Sequence, residues 1–427
     1  MQQIYKKFRR GAESAAKIYY QRVKAFSPNA RKYLLSIFVL GAAMGIYRLL
    51  FNFYVLSLGY DEAILGNLIT ASNVTTLIIA LPLGYLINII GRKLSLLLGT
   101  AGIGISVLMM ILFPSIPMFI AMNIFLGISQ SLSGVAMGPF LMENSKGEER
   151  TYLFSFSSGL RMTATSIGEW VGGYMPTWFG GWLGVSSMSS LAYSSSLSLI
   201  VIGVAISLVP IFLIKNNHLP QNEKSIFAPF AYMRKNPGVL SRLILPMLIT
   251  SIGAGLIMPF MNVFFRNVHN QSDSSIGLLF AWGSLAMGAG LMVAPILAER
   301  YGKIQVVVVS QALSIPFLAM LGFSPWFSLS AIAYYIRLAL MNMSSPVYQT
   351  FVMEQVDPDS RAMVASLNSM AHHFGWAFSP SISGYIQVNY GFWPAFLITI
   401  FLYAISIVMY YRWFWRNRVK AKALQST

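Results

Sequence analysis

Long apolar segments recur along this chain from residue 33 to residue 411, with few charges inside them. A helix needs ~20 apolar residues to cross the hydrocarbon core of a bilayer, because each residue adds about 1.5 Å to its length. Only 10% of the residues are charged, whereas soluble domains carry about 25%, which argues against a water-soluble globule. The sequence predicts an all-α membrane protein with twelve transmembrane helices, near residues 33–57, 62–88, 94–113, 117–142, 152–176, 191–214, 241–265, 275–298, 304–323, 326–353, 362–387 and 391–411.

The net charge of +17 lies mainly on one side of these twelve spans. Of the 30 lysines and arginines, 26 fall in the terminal segments, the central loop and the short loops on the same side. Arg266 lies on the other side, and Arg48, Arg161 and Arg337 lie inside spans. This asymmetry follows the positive-inside rule, in which cytoplasmic loops collect lysine and arginine. We therefore expect a multi-pass protein of the cytoplasmic (inner) membrane with both termini in the cytoplasm, surrounded by lipid and without a nucleic-acid partner.

The two halves of the chain repeat each other at an offset of 211 residues. The matched pairs are Gly66 with Gly277, Gly91 with Gly302, Glu143 with Glu354, and Arg150 with Arg361. Several matches at one offset are hard to obtain by chance, and parallel six-helix repeats are a known transporter plan. We expect two pseudo-symmetric six-helix bundles at 33–214 and 241–411, with a basic segment at 1–32, a linker at 215–240 and a basic tail at 412–427. The segment 1–32 fits either a helix lying on the membrane surface or a disordered tail.

The loop between spans two and three carries a recognisable motif. It reads Gly84-Tyr-Leu-Ile-Asn88-Ile-Ile-Gly91-Arg92-Lys93, which resembles the major facilitator superfamily signature Gly-x-Leu-Ala-Asp-Arg-x-Gly-Arg-Lys. One repeat later, Leu297-Ala298-Glu299-Arg300-Tyr-Gly302-Lys303 is similar to the second copy of that loop. The resemblance covers nearly the whole chain and implies a transporter of twelve helices.

In the family that these loops resemble, the acidic residue of the loop helps to latch the two halves together. Asn88 lacks that charge, whereas Glu299 retains it in the second half, so the resemblance implies a lopsided latch. The alternative is that these residues only shape a tight loop. The expected gating residues are Gly84, Asn88, Gly91, Arg92, Glu143, Arg150, Glu299, Arg300, Gly302, Glu354 and Arg361.

A second resemblance is to the glycine-rich signature Gly-x-x-x-Gly-Pro-x-x-Gly-Gly of drug and proton antiporters. Span five reads Ala164-Thr-Ser-Ile-Gly168-Glu169-Trp-Val-Gly172-Gly173, with Glu169 where that signature has proline. The arginine expected in span four of this branch is also missing, because Leu126 stands there and Arg337 is its repeat mate. The resemblance implies proton antiport. Close packing of small residues between helices explains the same glycines without it.

Ionisable residues inside the spans are the main candidates for function. Placing one at the bilayer centre costs about 2.5–3.5 kcal/mol, so each needs a partner, a cavity or a task. One acid, Glu169, cannot neutralise Arg48, Arg161 and Arg337. We infer a water-filled cavity with surplus positive charge, which suits an anionic or phosphate-bearing substrate held by Arg48 and Arg337, with Arg161 as a further expected contact. The alternative is a structural ion pair of Glu169 with Arg48 or Arg161.

Coupling to a proton requires a group whose charge changes at working pH. Glu169, His372 and His373 are the candidates. Further polar side chains either contact the substrate or hydrogen bond between helices: Asn52, Asn73, Gln130, Asn262, Asn342 and Gln349. A histidine in a span is more often a packing residue than a proton carrier, so both interpretations remain open.

Transport of a small molecule is the function that these features favour. Proton-coupled export of an amphipathic, anionic or lipid-like compound by alternating access is the first hypothesis, and uptake of an organic anion is its rival. A receptor or scaffold that does not transport is the alternative from another class. The chain has no nucleotide-binding Gly-x-x-x-x-Gly-Lys loop, no Gly-x-Ser-x-Gly motif and no cysteine. We therefore expect no enzyme activity, no cofactor and no metal site, and a monomer.

Overall fold

In a computed structural model that describes residues 26–145, 147–215, 237–356 and 361–416, the chain forms twelve long α-helices and no strand. The first six are α1 Pro28–Ser57, α2 Glu62–Ile90, α3 Arg92–Leu112, α4 Ile116–Glu143, α5 Gly147–Leu183 and α6 Ser190–Phe212. The last six are α7 Pro237–Ile257, α8 Asp273–Tyr301, α9 Lys303–Phe323, α10 Phe327–Glu354, α11 Arg361–Tyr390 and α12 Trp393–Tyr410. The twelve helices confirm the fold class predicted from the apolar segments.

The helix starts follow the capping residues in the sequence. Asp61 caps α2 by accepting a hydrogen bond from the amide of Ile64, and Ser272 caps α8 in the same way through Ser275. Such side-chain acceptors satisfy amides that have no partner in the first helical turn. Because both caps follow a short polar loop, they set where each helix enters the membrane.

The seventh span differs from the expected single helix over 241–265. α7 ends at Ile257, a 3-10 turn covers Met258–Phe260, and a short helix continues over Met261–Asn267. Pro259 lies in this turn and supplies no amide hydrogen to the helix ladder. Its carbonyl oxygen instead accepts a hydrogen bond from Asn52 of α1, at 2.8 Å. The break therefore supplies a backbone contact to the other half of the protein.

Nine of the described helices are long and apolar enough to cross a membrane by length and hydropathy alone. The other three are α5, α10 and α11, which carry Glu169, Arg337 and the pair His372 and His373. Helices that contain ionisable residues need neighbours to cover them in a bilayer. The protein is a multi-pass membrane protein in which these three helices depend most on their packing partners.

Each half repeats the same set of helix contacts. α1 packs against α5 and α6, α3 packs against α4 and α6, and α2 packs against α4. Six helices later, α7 packs against α11 and α12, α9 against α10 and α12, and α8 against α10. Two further interfaces join the halves: α2 packs against α11, and α5 packs against α8. They are equivalent in the repeat, because α8 corresponds to α2 and α11 corresponds to α5. The predicted pair of pseudo-symmetric six-helix bundles is confirmed.

One end of the molecule carries the turns between α2 and α3 and between α8 and α9. Gly91 and Gly302 occupy these turns with φ of +86° and +95°, a conformation that L side chains rarely adopt. Beside each turn lies an ion pair. Arg92 at the start of α3 pairs with Glu143 at the end of α4, and Lys303 at the start of α9 pairs with Glu354 at the end of α10. We call this the basic end, and the end with the loops 58–61 and 268–272 the opposite end.

The segments at 1–32, 215–240 and 412–427 fall largely outside the described residues, so their predicted boundaries stay predictions. The same holds for the expected surface helix near the N-terminus. Helix α1 begins at Pro28, with the side chain of Ser27 as its cap. The side chain of Asn29 forms two hydrogen bonds of 3.1 Å with the backbone of Lys215. These bonds tie the start of α1 to the end of α6.

Candidate functional site

The candidate site is built where α5 passes between α1 of its own half and α8 of the other half. Gly277 on α8 lies against the backbone carbonyl of Glu169, and Gly45 on α1 lies against that of Thr165, one turn earlier in α5. A Cβ at either position would overlap the α5 backbone. Close approach of helix backbones in a membrane depends on such small residues. The glycine pattern of span five therefore packs three helices closely, and this packing encloses Glu169.

Glu169 is fully buried, with 0% of its side chain exposed. Its Oε2 accepts a hydrogen bond of 2.8 Å from Ser284 of α8, and its Oε1 lies 3.4 Å from Nη1 of Arg48 on α1. Oε1 has no hydrogen bond among the described atoms. A buried carboxylate with one hydrogen bond and one loose ion pair is incompletely compensated, since each unmet acceptor is costly away from water.

Arg48 differs from Glu169 in its exposure. Its side chain is 48% exposed, although Arg48 lies in the middle of α1. A guanidinium facing hydrocarbon is strongly unfavourable, so we infer that the exposed surface of Arg48 faces the predicted water-filled cavity between the helices. The guanidinium lies 5.8 Å from the ring centre of Phe280 on α8. Arg48 thus offers a cation beside an aromatic face to anything in the cavity.

A row of aromatic groups leads from Arg48 toward the second predicted arginine. Phe280 stacks on Tyr334 of α10 with centroids 5.8 Å apart. The hydroxyl of Tyr334 lies within electrostatic range of Arg48, Glu169 and Arg337. This row connects the α1, α5 and α8 junction to α10.

Arg337 is buried and lies in a different setting from Arg48. Its Nη2 donates to the hydroxyl of Tyr403 at 3.0 Å, and its Nη1 contacts the sulfur of Met258 at 3.0 Å. Its Nε has no partner, and no described carboxylate lies within ion-pair distance. The structure therefore does not bring the two predicted substrate arginines onto one surface.

The other predicted substrate contacts have varied surroundings. Arg161 is exposed on α5 and Gln130 is partly exposed on α4. Asn342 donates to the carbonyl of Leu338 on its own helix at 2.9 Å. Asn52 is buried and donates to Asn262 of the other half at 2.8 Å. Of these four, Arg161 and Gln130 keep exposed surface, while the amides of Asn52 and Asn342 are engaged in hydrogen bonds with the protein.

His372 and His373 are exposed on α11, away from the Glu169 junction. Their rings lie 5.7 Å apart, and Nδ1 of His372 is 3.2 Å from the hydroxyl of Ser251 on α7. The described residues contain no group of three or more potential metal ligands. These histidines form a separate polar patch within the second half.

The predicted gating residues form ion pairs within each half. Arg92 and Glu143 are nearly buried, with 4% and 11% of their side chains exposed, whereas Lys303 and Glu354 are 31% and 49% exposed. Glu299 and Arg300 are exposed at the end of α8. The side-chain surroundings of Gly84, Asn88, Arg150 and Arg361 lie outside the described part of the chain. The latch between halves that the resemblance implies stays a prediction.

A cluster at the opposite end was not predicted from the sequence. Arg266, from the short helix after α7, stacks 3.2 Å above the ring of Phe53 on α1 and forms an ion pair with Asp273. Tyr193 of α6 accepts from Arg266 and donates to Asp273, both at 2.7 Å. We call these four residues the outer cluster. The sequence offers one signal for this cluster: Arg266 is the single lysine or arginine in the predicted loops on the opposite side of the spans.

Ser284 and Phe280 were also missed, since serine and phenylalanine are common in apolar helices. Other contacts between the halves lie toward the opposite end, where Asn267 donates to Glu62 at 3.1 Å and Asn52 reaches Pro259. Nearer the basic end, a Cβ added at four glycines would meet no atom within 4 Å: Gly134, Gly138, Gly159 and Gly288. Arg48 and Arg161 are exposed as well, and we expect the predicted cavity on the basic side of the Glu169 junction.

Comparisons with known proteins agree with this architecture. A family model described as Major Facilitator Superfamily matches residues 33–269 and 243–427. The multidrug resistance protein MdtG of Dickeya zeae is 25% identical over 407 residues, which covers 92% of this chain and 95% of that protein. MdtG of Klebsiella pneumoniae is 23% identical over 315 residues and covers 72% of this chain and 73% of that protein.

Solved structures show the same fold. A variant of the nucleoside transporter NupG aligns with a TM-score of 0.76 at 14% identity, covering 90% of this chain and 100% of that one. The D-xylose-proton symporter aligns with a TM-score of 0.70 at 14% identity, covering 89% and 97%. These solved proteins are transporters and not enzymes. The sequence analysis predicts the same for this chain.

Proposed function

The chain belongs to the major facilitator superfamily, and from this we propose that it exports small amphipathic or anionic organic compounds in exchange for protons, by alternating access of the cavity between its halves. The observation that carries the proposal is the buried, incompletely compensated carboxylate of Glu169 at the junction of the two halves. That the protein transports small compounds follows from the family. Proton coupling, export and the substrate class are the proposal.

Glu169 is the proton site in this proposal. It is the one acidic residue that lies in the interior of a span, and a proton removes the cost of its buried charge. Ser284 holds Oε2 from the other half and Arg48 holds Oε1 from the same half. The charge of Glu169 is therefore linked to both the cavity and the interface between halves. His372 and His373 remain alternative proton carriers, separated from this interface.

Arg48 and Phe280 are the substrate contacts in this proposal. An anionic group binds the exposed guanidinium, and an apolar body rests on the ring 5.8 Å away. Arg161 adds a second exposed cation, and Gln130 adds a polar contact. The relatives named as multidrug resistance proteins support amphipathic substrates and the drug and proton antiporter branch.

The basic end faces the cytoplasm in this proposal, because the lysines and arginines of the loops collect on that side. Both termini then lie in the cytoplasm of a cell whose inner membrane holds the protein. The cavity with Arg48 then opens to the cytoplasm, and the outer cluster closes the external face. An exporter that loads from the cytoplasm requires this arrangement. Membrane lipid surrounds the protein, and it acts as a monomer.

Uptake of an organic anion is the second candidate. Three arginines and one acid lie inside the spans, so positive charge is in surplus, which favours an anionic substrate. The two exposed arginines, Arg48 and Arg161, both belong to the first half. A receptor or scaffold is the candidate from another class, and it predicts ligand binding without any flux.

Flux measurements in proteoliposomes distinguish these functions. In vesicles whose basic end faces outward, an acid lumen drives a fluorescent amphipathic anion inward if the protein is an antiporter, and outward if it is a symporter. Glu169→Gln should abolish the response to the pH gradient while leaving exchange of labelled for unlabelled compound. Glu223→Gln is the charge-matched control, since Glu223 lies in the predicted linker outside the spans. Gradient-driven flux of parental size in Glu169→Gln would refute Glu169 as the proton site.

A further inference from the structure

The interface between α5 and α8 contains two side-chain hydrogen bonds across the halves. Ser166 of α5 donates to the backbone carbonyl of Ala281 at 3.0 Å. In the reverse direction, Ser284 of α8 donates to the carboxylate of Glu169 at 2.8 Å. Only the second of these bonds ends on a group that changes its charge. The two bonds therefore differ in their response to pH although they lie in the same interface.

We propose that Ser284 is the positioning residue through which the charge of Glu169 controls how tightly the two halves close at the opposite end. The proposal rests on the proposed function, in which Glu169 binds the transported proton. Ser284 neither binds the proton nor touches substrate. It converts the protonation of a carboxylate in one half into a change in the contact with the other half.

The physical basis is the strength of the hydrogen bond to a charged acceptor. A hydrogen bond to an ionised group is roughly twice as strong as one between neutral groups, and burial strengthens it further because the local dielectric is low. Charged Glu169 therefore holds α8 through Ser284. After protonation the acceptor is neutral, the bond weakens, and the interface loses part of the attraction that keeps the opposite end closed.

Arg48 cannot serve this purpose, although its charge acts on the same carboxylate. Arg48 and Glu169 both belong to the first half, on α1 and α5, so their ion pair does not cross between the halves. Arg48 affects how readily Glu169 gives up its charge, and Ser284 transmits the result. The two partners of Glu169 thus have separate tasks.

The repeat supplies an internal comparison. The position equivalent to Ser284 in the first half is Asn73, which donates to the backbone carbonyl of Trp376 at 3.0 Å across the α2 and α11 interface. An amide and a carbonyl keep their charges at every working pH. Of these two hydrogen bonds between the halves, whose donors are equivalent, only the one at Ser284 responds to protons. The α2 and α11 interface therefore acts as the constant side of the closure.

The groups that face Glu169 are limited. α1 contributes Arg48, α10 contributes Tyr334 behind Phe280, and α5 itself carries Arg161 two turns away. Residues 274–298 of α8 include no titratable side chain, and in α6 the only one is Tyr193, which is engaged in the outer cluster. Glu169 is thus the one acid from which a proton-dependent signal at this interface can start.

Distance measurements between two spin labels test the proposal. The chain has no cysteine, so Met188→Cys and Val268→Cys can be labelled selectively, one on each half at the opposite end and both exposed. In the parent, lowering the pH should shift the distance distribution toward longer, open separations. In Ser284→Ala this shift should be lost, whereas Ser284→Thr should retain it because threonine keeps the hydroxyl.

Ser166→Ala is the matched control, because it removes a hydrogen bond across the same interface that ends on a backbone carbonyl. It should keep the pH response of the parent. His269 is the titratable group next to one label, and burial lowers its pKa. His269→Gln in the labelled parent removes it as a source of signal, and the shift should persist.

The outcomes separate the inference from the proposed function. If Glu169→Gln abolishes the pH-dependent shift and Ser284→Ala leaves it intact, Ser284 is not the transmitter and the proton site stands. If Glu169→Gln also leaves it intact, the proton site is refuted as well. Should Ser284→Ala fail to fold, Glu169→Asp gives the answer. It keeps the acid but withdraws it from Ser284, so proton-driven exchange should continue with the shift lost, and a retained shift would overturn the inference.

Discussion

Glu169 and Pro380 occupy equivalent positions in the two halves, and the backbone carbonyl of each lies against a glycine of the opposite half. Gly277 covers the carbonyl of Glu169, and Gly66 covers that of Pro380. The two interfaces between the halves therefore share this backbone packing and differ in the side chain at this position. Proline adds no charge, whereas glutamate adds a carboxylate. The symmetry of the fold is broken at the position where a proton can act.

Arg48→Ala should weaken binding of an amphipathic anion about tenfold or more, because hydrogen bonds to charged groups contribute about 1.5–3 kcal/mol. Binding to the purified protein, measured by calorimetry, checks this. Arg242→Ala is the control, since it removes the same charge from an exposed position near the start of α7. An equal affinity in Arg48→Ala and Arg242→Ala would remove Arg48 from the substrate site.

Arg337→Met should leave the thermal stability in detergent unchanged or raise it, while transport falls. The buried guanidinium has hydrogen bonds from two of its nitrogens at most, and no described carboxylate offsets its charge. Burying a charge without a counter-charge is costly, and an apolar residue of similar volume removes that cost. Melting curves and flux assays on the same preparation check both parts. A large loss of stability with normal flux would show that Arg337 is structural.

Arg266→Gln should shift the protein toward conformations that are open at the opposite end. The substitution removes an ion pair with Asp273 and a cation–π contact with Phe53, and a desolvated contact of the latter kind contributes about 2 kcal/mol. Spin labels at Met188→Cys and Val268→Cys report the change as longer separations. Asn389→Gln, at an exposed position near the end of α11, is a control for a polar substitution that leaves the outer cluster intact. Identical distributions in the parent and Arg266→Gln would contradict a closing role for the outer cluster.

Arg92→Ala should destabilise the protein more than Lys303→Ala, although the two residues are equivalent in the repeat. Arg92 and Glu143 are nearly buried, whereas Lys303 and Glu354 are about one third and one half exposed. Breaking a buried pair costs about 3–5 kcal/mol, and an exposed pair contributes about 0–1 kcal/mol. Thermal unfolding of both variants in one detergent measures the difference. Equal losses would mean that burial does not set the strength of these loop contacts.

Several features of the site could be predicted from the sequence because they depend on local patterns. Glu169 stands out as the single acid inside a span, and the glycines around it indicate close packing. The choice of its partner could not be predicted, since Arg48 and Arg161 both remained open. The structure pairs Glu169 with Arg48 at 3.4 Å. That choice depends on the rotation of α1 and α5 about their axes, which hydropathy does not report.

The sequence alone determined the twelve spans, the two repeated halves and the family, because a bilayer imposes length and hydropathy on each helix separately and a repeat can be read at a constant offset. Only the tertiary structure decided which polar groups meet. It joined Glu169 to Ser284 across the halves, buried Arg337 away from Arg48, and assembled the outer cluster from residues far apart in the chain. The physical reason is that these contacts depend on the relative positions of helices that pack together from distant parts of the chain.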